Sequence, residues 1–138
     1  MTDYIKKGIA EGATVELGGE RQGNEGYFVQ PTILTNVTHT ATVNTDEIFG
    51  PVVSLHKFTD ADDLVAKAND SMYGLAAAVF SRDISRALQT AHRLQAGTVW
   101  VNMYNALDAQ VRLYSCAVLV FLISMLTRCF SIVSLVFL

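Results

Sequence analysis

The sequence predicts an α/β fold built on a parallel sheet, and three observations carry that expectation. Strand-like runs at 52–58, 75–80 and 98–101 alternate with two amphipathic segments, the connections between them are short, and the run at 75–80 has almost no polar residue on either face. Strand, helix, strand, helix, strand with short loops is the order that right-handed crossovers give, and parallel strands are covered on both sides. A chain of 138 residues buries at most one core, so a single domain is expected.

The elements follow in order. Tyr4 to Ala10 places Ile5 and Ile9 four apart beside Lys6 and Lys7, which reads as the last turns of an amphipathic helix stopped at Gly12. Thr14 to Leu17 alternates as a strand does. The glycine-rich stretch Gly18 to Gly26 fits neither the dinucleotide fingerprint nor a P-loop and is read as a plain loop. Tyr27 to Val37 is an extended run in which Pro31 forfeits a ladder donor, so an edge strand or a bulge is expected, paired with Thr14–Leu17 as a hairpin.

Thr45-Asp46-Glu47-Ile48-Phe49-Gly50-Pro51-Val52 joins an acidic pair, an apolar pair and a Gly-Pro corner. It presents a carboxylate and a ring at a stiff bend, which suits ligand contact as well as it suits simple chain reversal. Val52 to Phe58 is a buried-strand candidate. Thr59 is the expected N-cap of a helix with Asp62 three residues on and Leu64, Val65 and Ala68 on one face, fading at Asn69-Asp70-Ser71. Leu75 to Phe80 is the next strand. Ser81 or Asp83 caps a second helix whose stripe is Ile84, Leu88, Ala91 and Leu94, and Gly97 ends it before the strand Thr98 to Val101.

Charge excludes one class of partner. Acidic residues number 13 against 8 basic ones over residues 1–110, a net charge of −5, and there is no basic stripe of the kind nucleic-acid binding requires. Lys6, Lys7 and Glu11 interrupt any secretory run at the start, so a cytoplasmic site is expected and the acceptor patterns at Asn36 and Asn69 should stay unmodified. Cys116 and Cys129 have no ligand-spaced neighbours and read as small apolar residues, not as metal ligands or nucleophiles. His39, His56 and His92 are scattered, and no metal site is expected.

Three blocks, Thr45–Val52, Tyr73–Phe80 and Ala96–Asn102, occur in an order that resembles the aldehyde dehydrogenase superfamily, with the likeness running from about Tyr4 to about Gln110. The resemblance implies a partial parallel-sheet catalytic domain of the aldehyde dehydrogenase type over 1–110, NAD or NADP as cofactor, an aldehyde substrate and a complete enzyme able to form homo-oligomers. It assigns Glu47 and Phe49 to the nicotinamide ribose. It places Asn102 to Leu107 beside the aldehyde tunnel, with Asn105 and Leu107 as pocket residues and Leu107 standing where relatives often carry an aromatic ring. The family's cysteine nucleophile, glutamate base and nucleotide-binding fold lie ahead of this region, so no catalytic residue is assigned and Met1 reads as an internal start. A carboxylate that positions a ribose cannot replace a nucleophile.

After Gln110 the likeness stops, and residues 111–138 carry only Arg112 and Arg128 as charges. This unrelated apolar tail is either a displaced reading frame or retained intron, or a membrane segment. As a helix, Leu113 to Leu138 would span about 39 Å at ~1.5 Å per residue, enough for a hydrocarbon core of ~30 Å. Two functions therefore compete: an enzyme fragment inactive alone, and a non-enzymatic half-domain that docks onto complete subunits or sits at a membrane through its tail.

Overall fold

The computed structural model describes residues 1–106 and 133–137. Among these the chain forms two compact units, Met1–Phe58 and Thr59–Leu138, each with its own cluster of buried side chains in place of the single core expected from length.

In the first unit, α1 (Thr2–Ala10) buries Ile5 and Gly8 and ends where Gly12 takes a φ of 100°. β1 (Thr14–Leu17) pairs antiparallel with β2 (Thr32–Thr35), with a register shift between Val15 and Leu17. The hairpin is as expected, but the irregularity lies in β1 and not at Pro31, and β2 is the central strand of the order β1-β2-β3 and not an edge. Pro31 stands just outside it, so its missing N–H costs no ladder bond. Gly18 is obligatory here, because a Cβ would run into the Pro31 carbonyl.

A helical turn that periodicity does not reveal, α2 (Thr42–Thr45), precedes the bend. β3 (Val52–Ser54) is shorter than the 52–58 run, half exposed, and parallel to β2. It belongs to the first unit's sheet, so the expected single sheet through three consecutive strands is corrected to two sheets. Leu34, Val37, Ala41 and Val43 form the cluster under this sheet, with Tyr4, Val15, Ile48 and Val52 packed against it.

The second unit keeps the predicted alternation. α3 (Ala61–Asn69) buries Leu64 and Val65, and its N-cap is Asp60, which accepts from the Asp62 and Asp63 amides. Thr59 is displaced from the cap and instead donates its amide to Asp63 at 2.9 Å, a capping box shifted by one residue. β4 (Ala76–Phe80) is buried along almost its whole length. Asp83, not Ser81, caps α4 (Ile84–Ala91), accepting from the Ser85 and Arg86 amides. The expected stripe on α4 is rotated: Ile84 and Leu88 are exposed at 54% and 45%, and Ala87, Thr90 and Leu94 are buried. Small Ala87 lets the helix lie close on a strand made mostly of alanine, which the longer side chains would prevent.

β5 (Thr98–Val101) runs parallel to β4 from the register Ala76–Thr98 to Val79–Val101. On the other edge of β4 lies β6 (Val133–Phe137), also parallel, from Ala76–Val133 to Phe80–Phe137. Part of the apolar tail is therefore strand, where the membrane alternative needs a helix over Leu113 to Leu138. An open edge of β4 offers a row of backbone donors and acceptors, and a β-branched apolar segment satisfies them. Cys116 and Cys129 lie outside the described residues. Among the described residues no helix is long and apolar enough to cross a membrane.

Candidate functional site

The bend between α2 and β3 is assembled from both ends of the first unit. Ile48 packs partly into the Leu34 cluster and so fixes the middle of the Asp46–Phe49 segment. Its neighbours are thrown to either side. Glu47 is half-buried, with Oε1 shielded from water and without a hydrogen-bond partner among the described residues. Phe49 is 69% exposed and adopts a φ of 51°. A bulky residue in the left-handed region is an outlier costing roughly 1–2 kcal/mol, so the local packing has to hold it there.

What holds it is legible bond by bond. The Val52 amide donates to the Gly50 carbonyl at 2.8 Å, and the Thr32 amide donates to the Pro51 carbonyl at 2.8 Å, anchoring the Gly-Pro corner to β2. Before the bend, Glu11 accepts from the Thr42 amide at 2.7 Å and from the Thr42 hydroxyl at 2.6 Å. Those two bonds hold the Glu11 carboxyl below its ordinary range, the hydroxyl bond first, then the amide, with Lys7 adding attraction. The Tyr4 hydroxyl reaches Asp46 Oδ2 at 3.4 Å.

On the flank, Asn44 donates Nδ2 to the His39 carbonyl at 3.0 Å and its Oδ1 lies 2.9 Å from His56 Nε2. The rings of His39 and His56 stack with centroids 5.5 Å apart. Sequence reading scattered these histidines. Asn44 and β3 bring them together, a pairing set by tertiary geometry with no local signal. Among the described residues no group of three or more His, Cys, Asp or Glu could hold a metal.

In the second unit, the loop after β5 contains Asn105, at a φ of 56°. Asn102, at 53°, donates Nδ2 to the Ser81 carbonyl at 2.9 Å and accepts the Ser81 amide at 2.8 Å, adding a side-chain rung beyond the β4–β5 ladder. Asparagine tolerates this conformation better than most residues. Trp100 closes the loop by donating Nε1 to the Ala106 carbonyl at 2.8 Å, with Tyr104 edge-on to its ring. Leu107, the other expected pocket residue, lies outside the described residues. Neither Glu11 nor Trp100 was singled out from sequence, because each acts on a residue placed by the fold.

A shallow recess is lined by Ser71, Tyr73, Gln95 and Asn69. Its amide is already spent, since Asn69 donates to the Arg93 carbonyl and accepts from the Gln95 amide.

The profile of the Aldehyde dehydrogenase family matches residues 1–114. An aldehyde dehydrogenase of Agaricus bisporus is 58% identical over 111 residues, which is 80% of this chain and 22% of that protein. The aldehyde dehydrogenase of Bacillus cereus, solved as an NAD+ complex, superposes with a TM-score of 0.78 at 45% identity, covering 84% of this chain and 24% of that one. Betaine aldehyde dehydrogenase of Staphylococcus aureus, also solved with NAD+, gives 0.79 at 38% identity, over 84% of this chain and 24% of that one. The chain thus spans about a quarter or less of the length of the relatives it matches. With the sequence match running through both units and the fold superposing on solved members, the chain belongs to the aldehyde dehydrogenase family.

Proposed function

We propose that residues 1–110 form part of the catalytic domain of an NAD(P)-dependent aldehyde dehydrogenase of the cytoplasm, followed by an apolar tail over 111–138. In this reading Glu47 and Phe49 hold the nicotinamide ribose, and Asn105 and Leu107 border the aldehyde. By itself the chain turns over no aldehyde, because none of its residues matches the family's cysteine nucleophile or glutamate base.

The observation that carries the reading is the bend. A carboxylate oxygen shielded from water and short of a donor among the described residues stands two residues from an exposed ring held in a strained backbone. Ribose hydroxyls are donors, and they would satisfy Glu47 with charge-assisted bonds of about 1.5–3 kcal/mol. The Phe49 ring offers an apolar face at the same place. The cofactor supplies hydride acceptance, and Glu47 and Phe49 supply the placement that makes transfer geometrically possible.

The test is Glu47→Gln in a complete enzyme containing this stretch. Glutamine leaves one acceptor oxygen and removes the charge, so single-turnover hydride transfer should slow by about tenfold to a hundredfold. An unchanged rate would remove Glu47 from the ribose.

A further inference from the structure

α2 is a single turn, too short to persist on local hydrogen bonds alone. Its N-cap, Ala41, has no side chain to offer the free amides of the first turn. Glu11, 31 residues away in sequence, takes that place with both carboxylate oxygens, one on the Thr42 amide and one on the Thr42 hydroxyl. The Glu11 backbone is itself fixed, since its amide donates to the Lys7 carbonyl at 2.9 Å as the last bond of α1.

Two further contacts come from the same side of α1. Gly8 meets Val43 so closely that a Cβ would force the valine to move, and the Tyr4 hydroxyl reaches Asp46. Tyr4, Gly8 and Glu11 are spaced four and three apart, one face of a helix. They grip Asp46, Val43 and Thr42 in reverse order, so α2 is held along its length and at its exit. Glu47 is the next residue after Asp46.

We infer that Glu11 is a positioning residue for the ribose contact: by fixing the first residue of α2 it sets the path of the chain into Glu47 and Phe49. This rests on the ribose reading of those two residues. Glu11 touches no reacting atom, and its effect passes through Thr42 and α2. The strained φ of Phe49 gives the clamp its purpose, because a segment released at Thr42 can relax out of that conformation.

The experiment is hydrogen exchange by mass spectrometry on the full chain, following peptides over 42–49 with peptides over 76–80 as an internal reference, and on a complete enzyme containing this stretch, following the same peptides with and without NAD+. Glu11→Gln should raise exchange at 42–49 by about threefold to tenfold, with 76–80 unchanged. Thr42→Val, which loses the hydroxyl bond and keeps the amide bond, should fall between. Thr42→Ser keeps both donors and should restore wild-type protection, a rescue that general loss of stability would not produce.

NAD+ should add protection at 46–50 in the wild-type complete enzyme and less in its Glu11→Gln variant, although Glu47 is intact in both. Unchanged exchange at 42–49 in both Glu11→Gln and Thr42→Val overturns the inference, as does a Glu11→Gln chain that NAD+ protects as well as wild type. If NAD+ protects nothing in the wild type, the ribose reading fails and takes with it the inference that Glu11 positions a cofactor contact. The exchange of the variants then still decides whether Glu11 sets the segment.

Discussion

Met1–Phe58 and Thr59–Leu138 build their sheets in different ways. The second unit sets parallel strands side by side over small side chains: Ala76, Ala77 and Ala78 in β4 and Ala87 in α4 are all buried. Its helices start at aspartates that cap their own first turns, so each helix start is set by residues beside it in the sequence. The first unit has a mixed sheet and closes its loops with side chains distant in sequence: Glu11 on Thr42, Asn36 on Thr14 at 3.2 Å, Thr35 on Glu16 at 2.7 Å. Regular packing leaves a backbone little freedom to depart from its ladder. Clamps at a few points let the segment between them take an unusual conformation, and the strained Phe49 and the Glu47 oxygen without a partner among the described residues both occur there.

The strongest way to break the comparison is to empty the first unit's core. Leu34 is fully buried at the centre of its cluster, and Leu34→Ala should cost about 2–5 kcal/mol through lost transfer energy and the cavity left behind. Exchange should then rise across β1, β2 and α2 while peptides over β4 and α4 keep their protection. Equal loss in both units would mean that they unfold as one body, and the contrast between them would be only descriptive.

A sharper and smaller change separates the two kinds of loop. Trp100 is the chain's sole tryptophan, and its Nε1 donates to the Ala106 carbonyl. Trp100→Phe keeps an aromatic ring and deletes the donor, so about 0.5–1.5 kcal/mol should be lost, read as faster exchange confined to 102–106. The Asn102 rung to Ser81 should survive. If β5 loses protection as well, the loop and the strand are a single cooperative element.

The same contrast explains what the sequence disclosed. α1, β1, α3, β4, α4 and β5 all follow from periodicity and from Gly12, Asp83 and Gly97, because each of these signals acts within one turn or one strand. The exposed side of α4 was misjudged since Ile84 and Leu88 sit on a plausible apolar stripe, and only the alanine surface of β4 selects Ala87 instead. β3 was assigned to the wrong sheet because a short apolar run carries no record of its partner, and β2 claims it. Glu47 and Phe49 came from the family resemblance. Neither α2 nor the carboxylate that caps it has a local signature, since α2 is one turn long and its cap lies 31 residues away.

The smallest expected effect is in acid, and it should distinguish the two units by where it appears. Glu11 in the first unit, and Asp60 and Asp63 in the second, are all held below their ordinary values of 4.5 and 3.8. The Thr42 hydroxyl is the main cause for Glu11, the Asp63 amide for Asp60, and Lys67, bonded to it at 2.7 Å, for Asp63. A depressed carboxyl contributes stability that is fully present above its unfolded value and disappears as pH falls through the lower folded value. Nothing should therefore change on going from neutral pH down to those ordinary values. Below them, exchange corrected for its intrinsic rate should rise at two places: over 42–49, where Glu11 releases α2, and over 59–64, where the first turn of α3 loses its cap. Glu11 and Asp60 are exposed and Asp63 is partly so, so salt should weaken both effects. Glu11→Gln should abolish the acid response over 42–49 and leave that over 59–64 intact, while Asp60→Asn does the reverse. An acid response over 42–49 that survives Glu11→Gln would mean that the Glu11 clamp is not its source, and the bend would then not be held from α1.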